Sequence, residues 1–380
     1  MSKNSENIVP NNDKIRKPTP KKSFSLDDFK KKIGVEEVQQ KELKWICCSS
    51  ALKEETGIPG IPMGYTTLIR GFSNTSKSTI LSEAIVSAQK MGVLPIIIDT
   101  ENNLGMNRLK IMGFNLDDND YIYVDNDFLL KKFGKKQDPK RNEAAIEDMS
   151  ECIHYFLDLQ DSGELPFDIL FAVDSFGSLD CIKTINAQEK GSGDNNMYNA
   201  SAFEKSMKYL LNNRIPSSRK IIKAYTNTLI ATQKIWLDSM QGAGVIKHKG
   251  GEAAFYGCRL GFHCGGTLSH GTKRVLATSK GREVQWGIES KISIFKNQID
   301  GDFGGIAMEG KVISTPHGLI STTPEAINSY KKDNILYFRN VLGGDISPDE
   351  INTKIVDVKV DDNRFDFIDS FDGDDGNSDK

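Results

Sequence analysis

Long apolar runs are missing from this chain. None approaches the roughly 20 residues that a membrane-crossing helix requires, so no membrane partner is expected. The first residues are polar and contain no apolar leader core, and export is not expected either. The six cysteines, Cys47, Cys48, Cys152, Cys181, Cys258 and Cys264, show no C-x-x-C spacing. Their setting points to reduced thiols in a cytoplasm rather than to a disulfide framework. Cys258, His263, Cys264 and His270 come close in sequence, but adjacent residues of a strand face opposite ways, so zinc is not expected there.

What the chain does have is size, with 380 residues and 38% hydrophobic content, enough for one large core and a small extra module. The net charge of −3 is unevenly spread. Residues 1–22 are basic and 361–380 acidic, and both stretches lack apolar periodicity and read as disordered tails. An acidic tail can compete with nucleic-acid phosphates for basic surface.

The most specific local signal runs from Gly60 to Thr79. Thr66, Thr67, Leu68 and Ile69 form a β-type run, and Ile80, Leu81, Ala84, Ile85 and Ala88 fall at helical spacing up to Gly92. Between them lie Gly71, Phe72, Ser73, Asn74, Thr75, Ser76, Lys77, Ser78 and Thr79, the composition of a loop whose backbone N–H groups wrap phosphates. Lys77 is expected to reach the β- and γ-phosphates of ATP, and Ser78 to help hold Mg²⁺. Ser76 stands where a glycine is expected before the lysine, and a side chain there is expected to strain the turn or crowd the phosphates.

Strand-like runs at Thr66–Ile69, Leu94–Ile98, Ile169–Val173 and Thr228–Ala231 alternate with helical patterns at Thr79–Met91, Glu143–Leu159 and Ser201–Asn212. This alternation predicts an α/β fold, a mostly parallel twisted sheet with helices on both faces. Ligand chemistry then gathers at the carboxyl ends of the strands. Polar residues stand at those ends: Glu101 suits a base that orients water, Asp174 suits Mg²⁺, and Gln233 suits a sensor of the γ-phosphate.

Two loops follow. Asn186–Ala200 is polar and contains Met197, and Lys234–Gly251 is Gly-rich and carries Trp236, Met240, Val245, Ile246, Lys247 and Lys249. Apolar groups interleaved with cations suit single-stranded nucleic acid. The basic cluster Lys131–Arg141 reads instead as a solvated loop. Ser25 and Thr323 are the N-caps of two predicted helices, the second with Pro324 in its first turn.

Taken together, Gly60-Ile-Pro-Met-Gly64, Ile98-Asp-Thr-Glu101, Val173-Asp-Ser175, Ala231-Thr-Gln233, Gly250-Gly251-Glu-Ala-Ala-Phe-Tyr256 and Glu289-Ser-Lys-Ile-Ser-Ile-Phe-Lys-Asn-Gln-Ile299 resemble, in this order, the RecA family of recombinases. The loop at Ser76-Lys77-Ser78 is most similar to the phage UvsX-like branch, which implies a cytoplasmic protein, in the host cytoplasm if it is phage-encoded. The resemblance runs from about residue 45 to 320. It implies a RecA-like ATPase core at 46–300 with two DNA-binding loops, an N-terminal oligomerisation segment at 23–45, a C-terminal module at 301–360, and an arm and a tail at 1–22 and 361–380. It implies ATP bound between subunits of a helical filament on single-stranded DNA, with homologous double-stranded DNA, single-strand-binding and loading proteins as further partners. Met197, Trp236, Val245, Ile246, Lys247, Lys249 and Gly250 then face the DNA.

Lys296 matches a family lysine that completes the site of the neighbouring subunit, and Arg108 stands where the family has an adenine-stacking aromatic. Gln298 replaces a second cross-interface lysine. The expected activity is therefore DNA-dependent ATP hydrolysis coupled to strand exchange, with Glu101, Lys77, Gln233 and Lys296 as catalytic residues. A filament regulator without strand exchange and a ring-forming ATPase or helicase of the same fold remain the alternatives.

Overall fold

The computed structural model describes residues 25–34, 39–117, 119–191, 196–237, 246–248, 253–266, 271–299 and 309–357. The chain divides into two compact units, Met1–Gln40 and Lys41–Lys380. In the first, Ser25 caps helix α1 (Leu26–Lys32): its Oγ accepts from the Asp28 amide at 3.3 Å, with acids in the first turn and lysines in the last.

The second unit opens with β1 (Trp45–Cys47), helix α2 (Ser50–Thr56) and β2 (Gly60–Pro62), the two strands pairing antiparallel. Then come β3 (Thr66–Gly71), helix α3 (Lys77–Lys90), β4 (Leu94–Asp99), helix α4 (Met106–Ile111), β5 (Ile122–Asp125), β6 (Ile169–Asp174), β7 (Asn227–Leu237), β8 (Ile246–His248) and β9 (Leu260–Cys264). Six of these strands form a parallel sheet in the order β9-β3-β7-β6-β4-β5. The expected α/β class with a large, mostly parallel sheet is what the chain adopts.

Successive strand side chains enter opposite faces of the sheet, and both faces are buried. Ile69, Ile97, Ala172 and Ile230 join one apolar cluster with residues of α3 such as Ile80, Ala84 and Ile85. Leu68, Ile98, Val173 and Ala231 join another on the opposite face, with helices Ile146–Asp161 and Asn196–Tyr209. Burial on both faces explains why these strands read as nearly continuous apolar runs.

An antiparallel extension follows: β10 (Thr272–Ser279), β11 (Arg282–Asn297), β12 (Glu309–Thr315), β13 (Gly318–Ser321) and β14 (Asn352–Asp357). The long β11 joins the two regions, because its end pairs with β9 while earlier residues pair with β10 and β12. A boundary at residue 300 therefore runs across one continuous sheet. Helices Pro324–Asp333 and Ile335–Leu342 cover the extension, where Trp286 stacks on Tyr330. Thr323 caps the first of them, its Oγ1 accepting from the Ala326 amide at 3.3 Å.

Two sequence expectations need correction. The Lys131–Arg141 segment exposes Lys131, Lys135, Lys136 and Lys140 as a solvated stretch would, but it is helical through Gln137, and Arg141 is buried in an ion pair with Asp148, in the first turn of helix Ile146–Asp161. A local run of lysines does not reveal which cation finds a buried carboxylate. The Lys234–Gly251 stretch is also more regular than a loop, since β7 continues through Leu237 and pairs with β8, setting Trp236 opposite Lys247.

Candidate functional site

The turn from β3 into α3 requires its glycine. A Cβ on Gly71 would lie 2.2 Å from the Cys264 carbonyl oxygen and 2.7 Å from Thr75 Oγ1. The chain then passes through two left-handed residues, Asn74 (φ 58°) and Ser76 (φ 71°). For a residue with a side chain this conformation costs roughly 1–2 kcal/mol. The Ser76 side chain turns sideways, its hydroxyl 2.6 Å from that of Ser290 on β11.

No side chain caps the start of α3 and no acid stands in its first turn, which suits an anion at that terminus. Ser73, Asn74 and Ser78 are exposed along the loop, whereas Thr75 and Lys77 are buried. The Phe72 carbonyl gathers two donors, Lys77 Nζ at 2.5 Å and Thr75 Oγ1 at 2.7 Å. Burial lowers the Lys77 pKa, and the charges of Asp174, Lys234 and Glu101 all act on it. The sheet thus brings together residues far apart in sequence.

Glu101 is held firmly. Its Oε1 accepts from Ser175 Oγ at 2.7 Å and its Oε2 pairs with Lys234 Nζ at 2.9 Å. Burial pushes its pKa up, but the bonds from Ser175 and Lys234 and the charges of Lys234 and Lys77 together outweigh that and hold it below the usual value. A deprotonated carboxylate is what a base requires.

The backbone before Glu101 is shaped by Asp99, which is fully buried. Its Oδ1 accepts from the amides of Glu101 and Asn103, both at 3.2 Å, and its Oδ2 from the Leu104 amide at 2.8 Å and the Tyr123 hydroxyl at 2.9 Å.

Asp174 ends β6, beside β4 and β7. Thr232 Oγ1 donates to it, and burial raises its pKa despite that bond. A cation would favour its charged form, and hard divalent cations take such oxygen ligands. Ser78 and Asp174 therefore supply the donor chemistry for Mg²⁺. Gln233, expected at a strand end, is buried within β7, which runs four residues further to Leu237, and it stands opposite Arg70 in the parallel ladder. Arg70 lies 3.8 Å over the Phe295 ring, and its Nε donates to His263 Nδ1 at 3.3 Å.

Other expected residues stand apart or are partly engaged. Arg108 donates through Nη2 to Thr79 Oγ1 at 2.6 Å and to the Thr315 carbonyl at 3.2 Å, so one edge of its guanidinium is tied to α3 and β12. Lys296 donates to the carbonyls of Phe255 at 2.6 Å and Tyr256 at 3.2 Å, both within its own chain. Gln298 accepts from Arg259 at 3.2 Å.

Trp236 is exposed and Ile246 half-buried. Of Met197 and Lys247 only the backbone is described, and Val245, Lys249 and Gly250 lie outside the described residues. Cys264 packs with the α3 cluster while His263 turns to Arg70, so these neighbours do face opposite ways.

Sequence reasoning missed Lys234, Asp99 and Ser290. The first directly follows Gln233 and could have been found by extending the strand; nothing local marks Ser290. Among the described residues no helix is long and apolar enough to cross a membrane. No protein-family model matches the chain, and no match is found among curated proteins.

Proposed function

We propose that this protein is a RecA-like, DNA-dependent ATPase that assembles on single-stranded DNA and catalyses homologous pairing and strand exchange. The observation that carries the reading is the turn Gly71–Ser78, with the buried Lys77 under the combined charges of Asp174 and Glu101 at the ends of parallel strands.

In this reading the loop amides and Lys77 bind the phosphates, Ser78 and Asp174 hold Mg²⁺, and Glu101 orients and deprotonates the attacking water. Mg²⁺ held there would supply positive charge to offset that of the phosphates. Gln233, within the strand that continues to Trp236, carries the state of the nucleotide site toward the DNA side. Lys296 acts in the site of a neighbouring subunit, which requires it to leave the carbonyls of Phe255 and Tyr256.

The test is ATP hydrolysis with Mg²⁺, with and without single-stranded DNA, using Lys77→Ala as control. Turnover stimulated by DNA and lost in Lys77→Ala supports the reading; undiminished turnover in Lys77→Ala removes the loop assignment.

A second reading, a filament regulator that binds ATP without exchanging strands, draws on Gln298 and Lys296, both engaged within their own chain. ATP binding without strand exchange on homologous DNA would favour it.

A further inference from the structure

The phosphate loop reaches its left-handed turn at Ser76 without the glycine that such a turn ordinarily uses. A side chain there needs somewhere to go, and a buried hydroxyl needs a partner. Ser76 is 7% exposed and Ser290 is fully buried, and their hydroxyls lie 2.6 Å apart. Ser290 comes from β11, more than two hundred residues later, on the antiparallel extension rather than on the parallel core.

A second contact of the same kind lies alongside. Ser314 on β12 meets Thr79 of α3 at 2.5 Å between hydroxyl oxygens. In the β11–β12 ladder Ile288 stands opposite Ser314 and Ser290 opposite Val312, so Ser290 and Ser314 share one face. That face supports the loop at Ser76 and the helix at Thr79.

We propose that Ser290 is a positioning residue for nucleotide binding: through its hydroxyl it holds Ser76 in the left-handed conformation and keeps that side chain out of the space for the phosphates. The role rests on the nucleotide-binding reading given above. It makes the antiparallel extension part of the site, although it touches no reacting atom.

Three variants test it by ATP affinity and by the KM and kcat of hydrolysis, with thermal melts as a check on folding. Ser290→Ala leaves the Ser76 hydroxyl buried without its partner, and a roughly tenfold rise in KM is expected, with a smaller change in kcat. Ser76→Ala removes the bond from the other side while keeping a Cβ in the left-handed turn, and a similar rise is expected. Ser76→Gly combined with Ser290→Ala needs no hydroxyl at either position and is expected to recover most of the lost affinity.

If Ser290→Ala does not fold, Ser76→Ala still decides the matter. Unchanged affinity in Ser76→Ala, or a double variant as weak as Ser290→Ala, overturns the inference while leaving the nucleotide reading intact. A wild-type chain that binds no ATP overturns both.

Discussion

Lys234 Nζ lies 2.9 Å from Glu101 Oε2 and joins the strand leading toward Trp236 to the carboxylate at the end of β4. The side chain of Glu101 is 16% exposed and that of Lys234 55%, so the pair is partly screened and its importance is in orientation and charge more than in stability. It gives a direct physical link between the segment proposed to meet DNA and the proposed base.

The pH dependence follows from this pair. Glu101 has a folded-state pKa below its ordinary 4.5, so its contribution to stability is present above 4.5 and is lost as pH falls through the folded value. Hydrolysis should keep its base ionised down to the same acidic range. Lys234→Ala removes a bond and a charge while burial still acts, so the acid limb of the pH–rate profile should move to higher pH. An unmoved limb would separate Lys234 from the base.

Glu101→Gln should retain ATP binding and lose hydrolysis by roughly 10²–10⁴-fold, the usual worth of a positioned base. The Ser175 hydroxyl can still donate to the amide oxygen, so the loop should remain ordered. Equilibrium binding of a fluorescent ATP analogue alongside turnover separates the two effects. Loss of binding would make Glu101 structural.

Asp99→Asn puts an amide N–H₂ where a carboxylate oxygen now accepts backbone donors. An unmade bond at a buried group costs about 1–3 kcal/mol, and that loss should appear in urea unfolding. Because those amides set the backbone of Glu101, turnover should fall more than ATP binding does. Equal falls in both would contradict a role in positioning Glu101.

The pair Arg141–Asp148 is almost fully buried, at 1% and 0% side-chain exposure. Arg141→Ala strands a buried carboxylate and should cost about 3–5 kcal/mol, whereas Arg141→Met with Asp148→Leu should recover most of that loss. Denaturant midpoints of the single and double variants check this. A mild single variant would show that water reaches Asp148.

Much of the core was legible because strand and helix periodicities are local. Leu94–Ile98 and Ile169–Val173 read as buried strands and are so, each extended by one residue to Asp99 and Asp174. The motif order also pointed to Lys77, Glu101 and Asp174 as one site, and the parallel register brings their charges within reach of one another.

Less was legible where contacts bridge long separations. Arg141 looked like one more solvated cation, yet it meets Asp148 in the buried interior. Ser76 looked like a defect in a glycine turn, and no periodicity in the chain identifies the distant hydroxyl that meets it.

Apolar spacing and turn chemistry, read along the chain, were enough to establish the α/β class, the turn before Lys77 and the polar strand ends, because these depend on neighbours in sequence. The partners of Glu101, Ser76 and Arg141 were decided only when β-strands paired and helices closed over them. A hydrogen bond depends on distances of about 3 Å in space, and those distances are set by the register of the whole sheet.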